Sequence, residues 1–370
     1  MGQSPPSSTY NTIGDGLPFF QGKADFGEIF PNTRVFCSQP ARIAEPGDIL
    51  ISVRAPVGPT NLTRERCCIG RGLSALRPSK DLTTAFLFYF LRYHEPQLAK
   101  LGLGSTFAAI NRDDLEEALI PLPNLIEQKR IAALLEQADR LRRTRRYALE
   151  LSDTFLPATF LKLFGDPGKN PGGFELVQVD GLFAIDRDGV KCGPFGSALK
   201  KHEYVEEGIP VWTMENVQEN EFHEDNCLFI TEKKYQELKA YSAQNGDILI
   251  SRAGTVGRMA IVKTKHDRSV IHSNLIRLSL NPRNVLPIYF VVLMTWFGAG
   301  VAKLKTGQED AYTFMNTGAL GRMRIPLPPI GQQQQFAELV ERHERLRSNQ
   351  REALRQADHL FQSLLHRAFT

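Results

Sequence analysis

Two stretches of the chain place mostly apolar residues on alternating three- and four-residue steps. In the first these are Ile131, Leu134, Ala138, Leu141, Arg145, Ala148, Ser152 and Phe155; in the second they are Phe336, Leu339, His343, Leu346, Gln350, Ala353, Ala357 and Leu360, each 205 residues further on. Such spacing predicts two long helices with a heptad seam, apolar at most a and d positions. Arg145 and Gln350 fall at matching seam positions, where a polar residue costs stability and fixes register. Equal length and identical phase are what a pseudo-symmetric pair requires, so an intramolecular coiled coil is expected. The alternative is two amphipathic helices, each lying on its own domain. At about 1.5 Å per residue, a helix of roughly 35 residues spans about 50 Å. Pro157, late in the first helix, is expected to kink or end it.

Shorter patterns precede each helix, and they too occur twice. "GDILISVRAPVG" (Gly47–Gly58) returns as "GDILISRAGTVG" (Gly246–Gly257) at an offset of 199. "IPLPNLIEQKRIAALLE" (Ile120–Glu136) returns as "IPLPPIGQQQQFAELVE" (Ile325–Glu341) at 205, and "GLPFF" from Gly16 as "GIPVW" from Gly208 at 192. These offsets far exceed the roughly 20 to 50 residues of solenoid repeats, so a whole domain has been duplicated with its order kept. Within each copy, runs such as "GIPVWTM" and "MAIVK" are short and punctuated, as strands are, whereas "AFLFYFLRYHEPQLAKL" and "PIYFVVLMTWF" read as buried helices. Each repeat is therefore mixed α/β. Gln332–Gln335 is expected to be only the polar first turn of the second long helix.

Composition adds bounds. With 370 residues, 42% hydrophobic and 23% charged, the chain suits two or three soluble globular domains. Its N-terminus lacks the charged and apolar regions of a signal peptide, and the most apolar run, Val285–Ala302, is broken by Pro287, Gly298 and Gly300. No membrane association is expected. Five cysteines at positions 37, 67, 68, 192 and 227 make no CxxC pair, which predicts a reducing cytoplasm and no structural metal. The net charge of +4 is mild, so any nucleic-acid contact must come from local patches. One such patch is "RLRRTRR" (Arg140–Arg146); between Glu127 and Arg146 the local charge is also +4. It reads equally as a DNA-facing stripe or as a solvated face for acidic partners.

No catalytic constellation emerges. "GDPGKN" (Gly165–Asn170) lacks the spacing and hydroxyl of a phosphate loop, the eight histidines are scattered, and no GxSxG, HExxH or HxE with a following CxxC occurs. What remains is a recognition protein with two related but unequal reading heads, suited to an asymmetric site of two halves.

At this point the residues resemble a known family, the specificity subunit of type I restriction-modification enzymes. The resemblance covers essentially the whole chain. It rests on "GQSPPSSTYNTIGDGLPFFQGKADFG" (Gly2–Gly27), both GDILIS strands, "GSTFAAIN" (Gly104–Asn111), both "IPLP" exits and "FLKLFGDP" (Phe160–Pro167). It implies two pseudo-repeated target recognition domains separated by a pair of long antiparallel coiled-coil helices: recognition domains at 1–122 and 166–326, spacer helices at 123–165 and 327–370. It further implies double-stranded DNA as ligand and no catalysis in this chain. Two methylation subunits would carry S-adenosylmethionine, and restriction subunits would use ATP with Mg. The alternatives are the recognition part of a fused restriction-methylation enzyme and a stand-alone DNA-binding adaptor of another defence system. One departure is that the second half opens with "FELVQVDGLFAI" (Phe174–Ile185), while the first starts almost directly with "GQSPPSS". The first domain is thus expected to lack its opening strand and helix.

Residues expected to meet DNA in the first head are Gln21, Lys23, Arg54, Ser105, Thr106 and Asn111. In the second they are Ser197, Lys200, Lys201, Asn216, Arg252, Arg258, Lys305, Gln308 and Asn316. Gln21, Lys23 and Asn216 follow equivalent strands, and their side chains suit adenine or guanine in the major groove. Asn111 and Asn316 are equivalent and lean towards a shared structural role. The unlike loops "GSTF" and "GQED" (Gly307–Asp310) favour readout at that position.

Overall fold

The computed structural model describes residues 1–102, 109–195, 198–218, 221–252, 257–296, 305–306, 314–315 and 317–370. The chain divides into two units. Unit one is Met1–Ala148 with Gln350–Thr370, and unit two is Leu149–Asn349.

The GDILIS strand explains the architecture of each unit. In unit one, Ile49–Ser52 is the middle of a three-stranded antiparallel sheet, flanked by Thr60–Leu62 and Leu73–Leu76. Successive side chains of a strand point to opposite faces. Ile49 and Ile51 enter a core built on the helix Thr84–Leu101, while Leu50 faces a second core with Phe20, Cys67 and Leu73. With both faces buried, the three positions Ile49, Leu50 and Ile51 are all apolar, and only Ser52 at the strand's end is polar. Unit two repeats this: Ile248 and Ile250 pack on the helix Pro287–Trp296, and Leu249 joins Trp212, Ala260 and Ile271.

The Gly-Asp before each strand has a conformational cause. Gly47 and Gly246 adopt φ of 87° and 90°, a region open to glycine at little cost. The following aspartate closes the turn: Glu45 N donates to Asp48 Oδ2 at 2.8 Å, and Gln244 N donates to Asp247 Oδ2 at 2.8 Å. The remaining valences then differ. Asp48 takes a two-point salt bridge from Arg77, whereas Asp247 accepts from Ser279 Oγ at 2.6 Å and pairs with Arg187 at 3.2 Å.

Each unit carries a second sheet whose centre is the proline-bearing strand. Leu17–Phe20 runs parallel to Cys67–Ile69 within five strands, and Ile209–Trp212 runs parallel to Val270–Ile271 within four. In unit two the GDILIS sheet has a fourth strand, Val190–Cys192, and Glu175–Gln178 pairs with the exit strand Arg324–Leu327.

The long helices form as the pattern indicates: Leu125–Ser152, then Phe155–Phe164, and later a single 40-residue helix, Ile330–Phe369. The first breaks at Asp153 and Thr154, not at Pro157, which lies in the first turn of the new helix, where a missing N–H leaves no bond unmade. Inside unit one, Leu135 and Ala138 share a core with Phe361 and Leu365, and Arg142 meets Asp358. Inside unit two, Phe155 stacks on His343 at 4.6 Å and Phe160 meets Phe336 edge-on at 5.6 Å. In both units one residue number rises as the other falls, so the pairing there is antiparallel.

The seam itself is corrected at alternate positions. Ala138, His343 and Ala357 are buried as expected, but Leu134 and Leu346 are 43% and 62% exposed, and Leu141 and Leu360 also face outward. Leu135 and Phe361, next to Leu134 and Leu360, are buried instead, as is Val340 beside the half-buried Leu339. The sequence offers apolar pairs at these points, Leu134-Leu135, Leu339-Val340 and Leu360-Phe361. The face that also meets the head domain decides between them.

Both spacer helices begin on a buried glutamine. Gln128 accepts from Thr83 N at 2.8 Å and donates to Asp81 and Pro123 carbonyls, each at 2.8 Å. Gln333 accepts from Leu286 N at 2.9 Å and donates to Asn284 and Pro328 carbonyls at 3.2 and 2.8 Å. Each amide thereby ties the start of a spacer helix to the start of a head helix. Gln333 is fully buried, so it is more than part of a polar first turn.

Candidate nucleic-acid interface

In unit one the ends of three strands deliver polar side chains to one cleft of about 490 Å³. Gln21 follows Leu17–Phe20, Arg54 follows Ile49–Ser52, and Arg71 follows Cys67–Ile69. Lys23 opens the one-turn helix Lys23–Asp25, and the N-terminal stretch adds Ser4 and Ser7. Backbone contacts hold the loops together: Gln21 N donates to Asp25 Oδ2 at 2.7 Å, and Arg71 N donates to Ser4 Oγ at 3.3 Å. A side chain at Gly72 would put Cβ 2.3 Å from the Gln21 carbonyl, and one at Gly2 would put it 2.2 Å from that of Gly70. Glycine is therefore required where these loops meet.

The cleft's charge is positive. Lys23, Arg54 and Arg71 are all exposed, and among the described residues none has a carboxylate within salt-bridge distance. Glu95 is close enough to feel Lys23; burial pushes its carboxyl pKa up, while Arg92 and Lys23 pull it down. Unpaired guanidinium and ammonium groups beside a glutamine form a surface that can hold phosphates and reach base edges. The structure brings together Gln21, Lys23 and Arg54 and adds Arg71 and Ser4, which sequence reasoning missed. Arg71 had a signal, its place between two glycines at a strand connection.

Unit two distributes its candidates differently. The Arg252 guanidinium lies over the Phe195 ring at 4.6 Å, and Phe195 is 65% exposed, leaving an aromatic–cation pair at the surface. Lys200 and Lys201 are exposed at a turn where Lys200 N donates to Glu203 Oε2 at 2.6 Å, and Arg258 is exposed beyond the GDILIS strand.

Asn216 is a correction. It is fully buried; its oxygen accepts from Thr213 N at 2.8 Å, and its nitrogen donates to His223 and Asp225 carbonyls at 2.8 and 3.2 Å. All its capacity is spent on folding a loop, so it cannot reach a base. Asn111 is the N-cap of the helix Arg112–Glu116, accepting from Asp113 and Asp114 amides at 2.7 and 3.1 Å. Ser105, Thr106, Ser197, Gln308 and Asn316 lie outside the described residues, as do the loops "GSTF" and "GQED"; for Lys305 only the backbone is described.

The basic run is largely consumed inside unit one. Fully buried Asp139 takes Arg142 at 2.6 Å, Arg143 at 3.2 Å and Arg92 at 3.4 Å, and Arg146 pairs with Glu28 and Asp358. Burial pulls the Arg92 pKa down, with Asp139 holding its charge. Three of the run's five arginines are thus internal ties, which removes most of a DNA-facing stripe.

No described helix is long and apolar enough to cross a membrane, and the described residues hold no cluster of His, Cys, Asp and Glu with metal-ligand placement. Fold and site together define a class: a scaffold of two duplicated α/β heads on long helices, with unlike polar loops at the strand ends. The family model for the type I restriction modification DNA specificity domain matches residues 25–151 and 171–356. The chain belongs to this family.

Among its relatives, a putative type I restriction enzyme MjaX specificity subunit from Methanocaldococcus jannaschii is 50% identical over 142 residues, 38% of this chain. That match spans only about a third of the relative's length, 33%. The EcoBI specificity subunit of Escherichia coli is 21% identical over 98% of this chain and 81% of its own. The solved S subunit of a type I system from M. genitalium superposes with a TM-score of 0.60 at 17% identity, covering all of this chain and 92% of that one. At that identity the likeness is one of fold.

Proposed function

We propose that this chain is the non-catalytic DNA-specificity subunit of a type I restriction-modification complex acting in the cytoplasm. Two recognition domains, residues 1–122 and 166–326, each read one half of a bipartite, asymmetric double-stranded DNA site. The helical stretches 123–165 and 327–370 set the gap and dock two methylation subunits. Those subunits carry S-adenosylmethionine, and restriction subunits use ATP and Mg; this chain needs no cofactor of its own. The observation that carries the reading is the contrast within each head. The GDILIS framework is common to both, while the side chains at the strand ends differ: Gln21, Lys23, Arg54 and Arg71 in one, Phe195, Lys200 and Arg252 in the other. A shared framework with unlike polar rims suits two different half-sites.

The test is coexpression with the neighbouring methylation subunit, followed by mapping of methylated adenines. The expected result is a two-part motif with a fixed gap. A single continuous motif would overturn the two-headed reading, and methylation by this chain alone would overturn the non-catalytic one.

A further inference from the structure

Both units build the turn that follows their parallel strand on the same backbone bonds. In unit one the turn is Gly70–Leu73. There Leu73 N donates to the Gly70 carbonyl at 3.0 Å, Gly70 N to the Phe20 carbonyl at 2.8 Å, and Val53 N to the Gly72 carbonyl at 2.9 Å. In unit two the turn is His272–Leu275. Leu275 N donates to the His272 carbonyl at 3.0 Å, His272 N to the Trp212 carbonyl at 2.8 Å, and Arg252 N to the Asn274 carbonyl at 3.0 Å. Gly70, Arg71 and Gly72 therefore correspond to His272, Ser273 and Asn274, and the strand-end residue Gln21 corresponds to Thr213.

On this common frame the side chains exchange roles. In unit one a Cβ at Gly70 would lie 3.2 Å from Gln21 Cα, and one at Gly72 would lie 2.3 Å from the Gln21 carbonyl. The turn thus yields its space to Gln21, which stands exposed in the cleft with Arg71. Unit two does the reverse. Thr213 is committed to the chain, its hydroxyl accepting from Glu215 N at 3.2 Å to cap the one-turn helix Met214–Asn216. Asn216 is spent on its loop, so neither residue after this strand is left to read a base. The turn instead carries three polar side chains, all part-exposed. Ser273 Oγ lies 3.3 Å from His272 Nδ1. The side-chain oxygen of Asn274 is buried and, among the described residues, accepts no hydrogen bond. A buried acceptor left without a donor is costly, and native structures keep few of them.

We propose that Asn274 is a specificity-determining residue of the second head and reads an adenine in the major groove. Its oxygen accepts from the N6 amino group and its nitrogen donates to N7. This rests on the DNA-reading function proposed above. Adenine presents that donor and acceptor side by side, and an asparagine amide matches both. Because Asn274 is part-exposed, rotation of its side chain brings the orphaned oxygen to the base edge, where it gains the donor it lacks in the free protein. The equivalent Gly72 has no side chain to offer, so this contact belongs to one half-site only. Asn274 is also neutral where the same turn of unit one carries Arg71, so its contact adds base discrimination without adding to the salt dependence of binding.

The test uses the full chain in complex with its methylation subunit, and duplexes carrying the mapped methylation motif. Each adenine in turn is replaced by 7-deazaadenine, which keeps the N6 amino group and loses the N7 acceptor. With the unsubstituted chain, one adenine in one half-site is expected to weaken binding about tenfold when so replaced. Asn274→Ala, and the isosteric Asn274→Asp, which cannot donate to N7, should bind the natural and 7-deaza duplexes equally at that position. Asn274→Ala should also leave the slope of log affinity against log salt unchanged. The isosteric variant guards against a packing defect, and the 7-deaza scan of the unsubstituted chain alters no protein at all. No adenine whose N7 matters, or a penalty kept in full by either variant, would overturn the inference. A continuous motif in the unsubstituted complex would instead sink the two-headed reading, whereas a two-part motif with no Asn274-dependent adenine sinks this inference alone.

Discussion

Asp139 is the residue on which the inner face of unit one turns. It is a fully buried carboxylate meeting three guanidinium groups, of which Arg92 and Arg142 are themselves mostly buried. Removing one partner from such a set leaves uncompensated charge in a poorly solvated site. Asp139→Ala is expected to lower unfolding free energy by about 3–5 kcal/mol, measured by urea denaturation. A loss below about 1 kcal/mol would mean the arginines reach water. The exposed cations behave differently. Arg54→Ala and Arg71→Ala should leave stability unchanged and weaken DNA binding for every sequence, each reducing the slope of log affinity against log salt by about one. A filter-binding salt series checks this, and an unchanged slope would remove the cleft from the interface. Asn216 shows why such assignments are hard to make from sequence. An asparagine after a strand suits a base edge and suits a loop clamp equally, and only the position of the His223 and Asp225 carbonyls decides.

At the scale of elements, much was legible because the physics is repetitive. The GDILIS strands, the two apolar head helices and the spacer helices follow from periodicity, length and Gly or Pro punctuation. The phase of the seam was not legible at Leu134 and Leu360, because each has an apolar neighbour and the choice rests on which face the head covers; Leu346, between Arg345 and Arg347, simply faces outward. This is testable: Leu346→Ser should change stability by less than about 0.5 kcal/mol, while Phe361→Ala should cost about 3–5 kcal/mol. Equal costs would restore the heptad phase read from sequence. The glutamine ties are a second element-level expectation. Gln128→Leu or Gln333→Leu strands two backbone carbonyls and one amide, so each should cost about 2–4 kcal/mol. Thermal melts would show it, and a neutral result would mean the helix starts are held by packing alone.

For the whole molecule, the cores matter more than the order of elements along the chain. Each unit has its own large apolar core, one centred on Phe88 and Phe361 and the other on Phe160 and Phe336. Unfolding should therefore depart from a single two-state transition in scanning calorimetry. Phe361→Ala should lower one transition and Phe336→Ala the other, although both residues lie on one helix. If both substitutions moved the same transition, the division into units would be wrong.

That division also fixes an order of events during synthesis. Domains generally fold as units, N-terminal first, as they leave the ribosome. Unit two is complete once Asn349 has emerged, but unit one awaits Gln350–Thr370, whose Phe361 and Leu365 close its core. The half translated first is therefore finished last. Until its final helical turns arrive, the nascent chain leaves uncovered the face of the helix Thr84–Leu101 that meets Phe361 and Phe369, and that interval is when a chaperone would have most to bind.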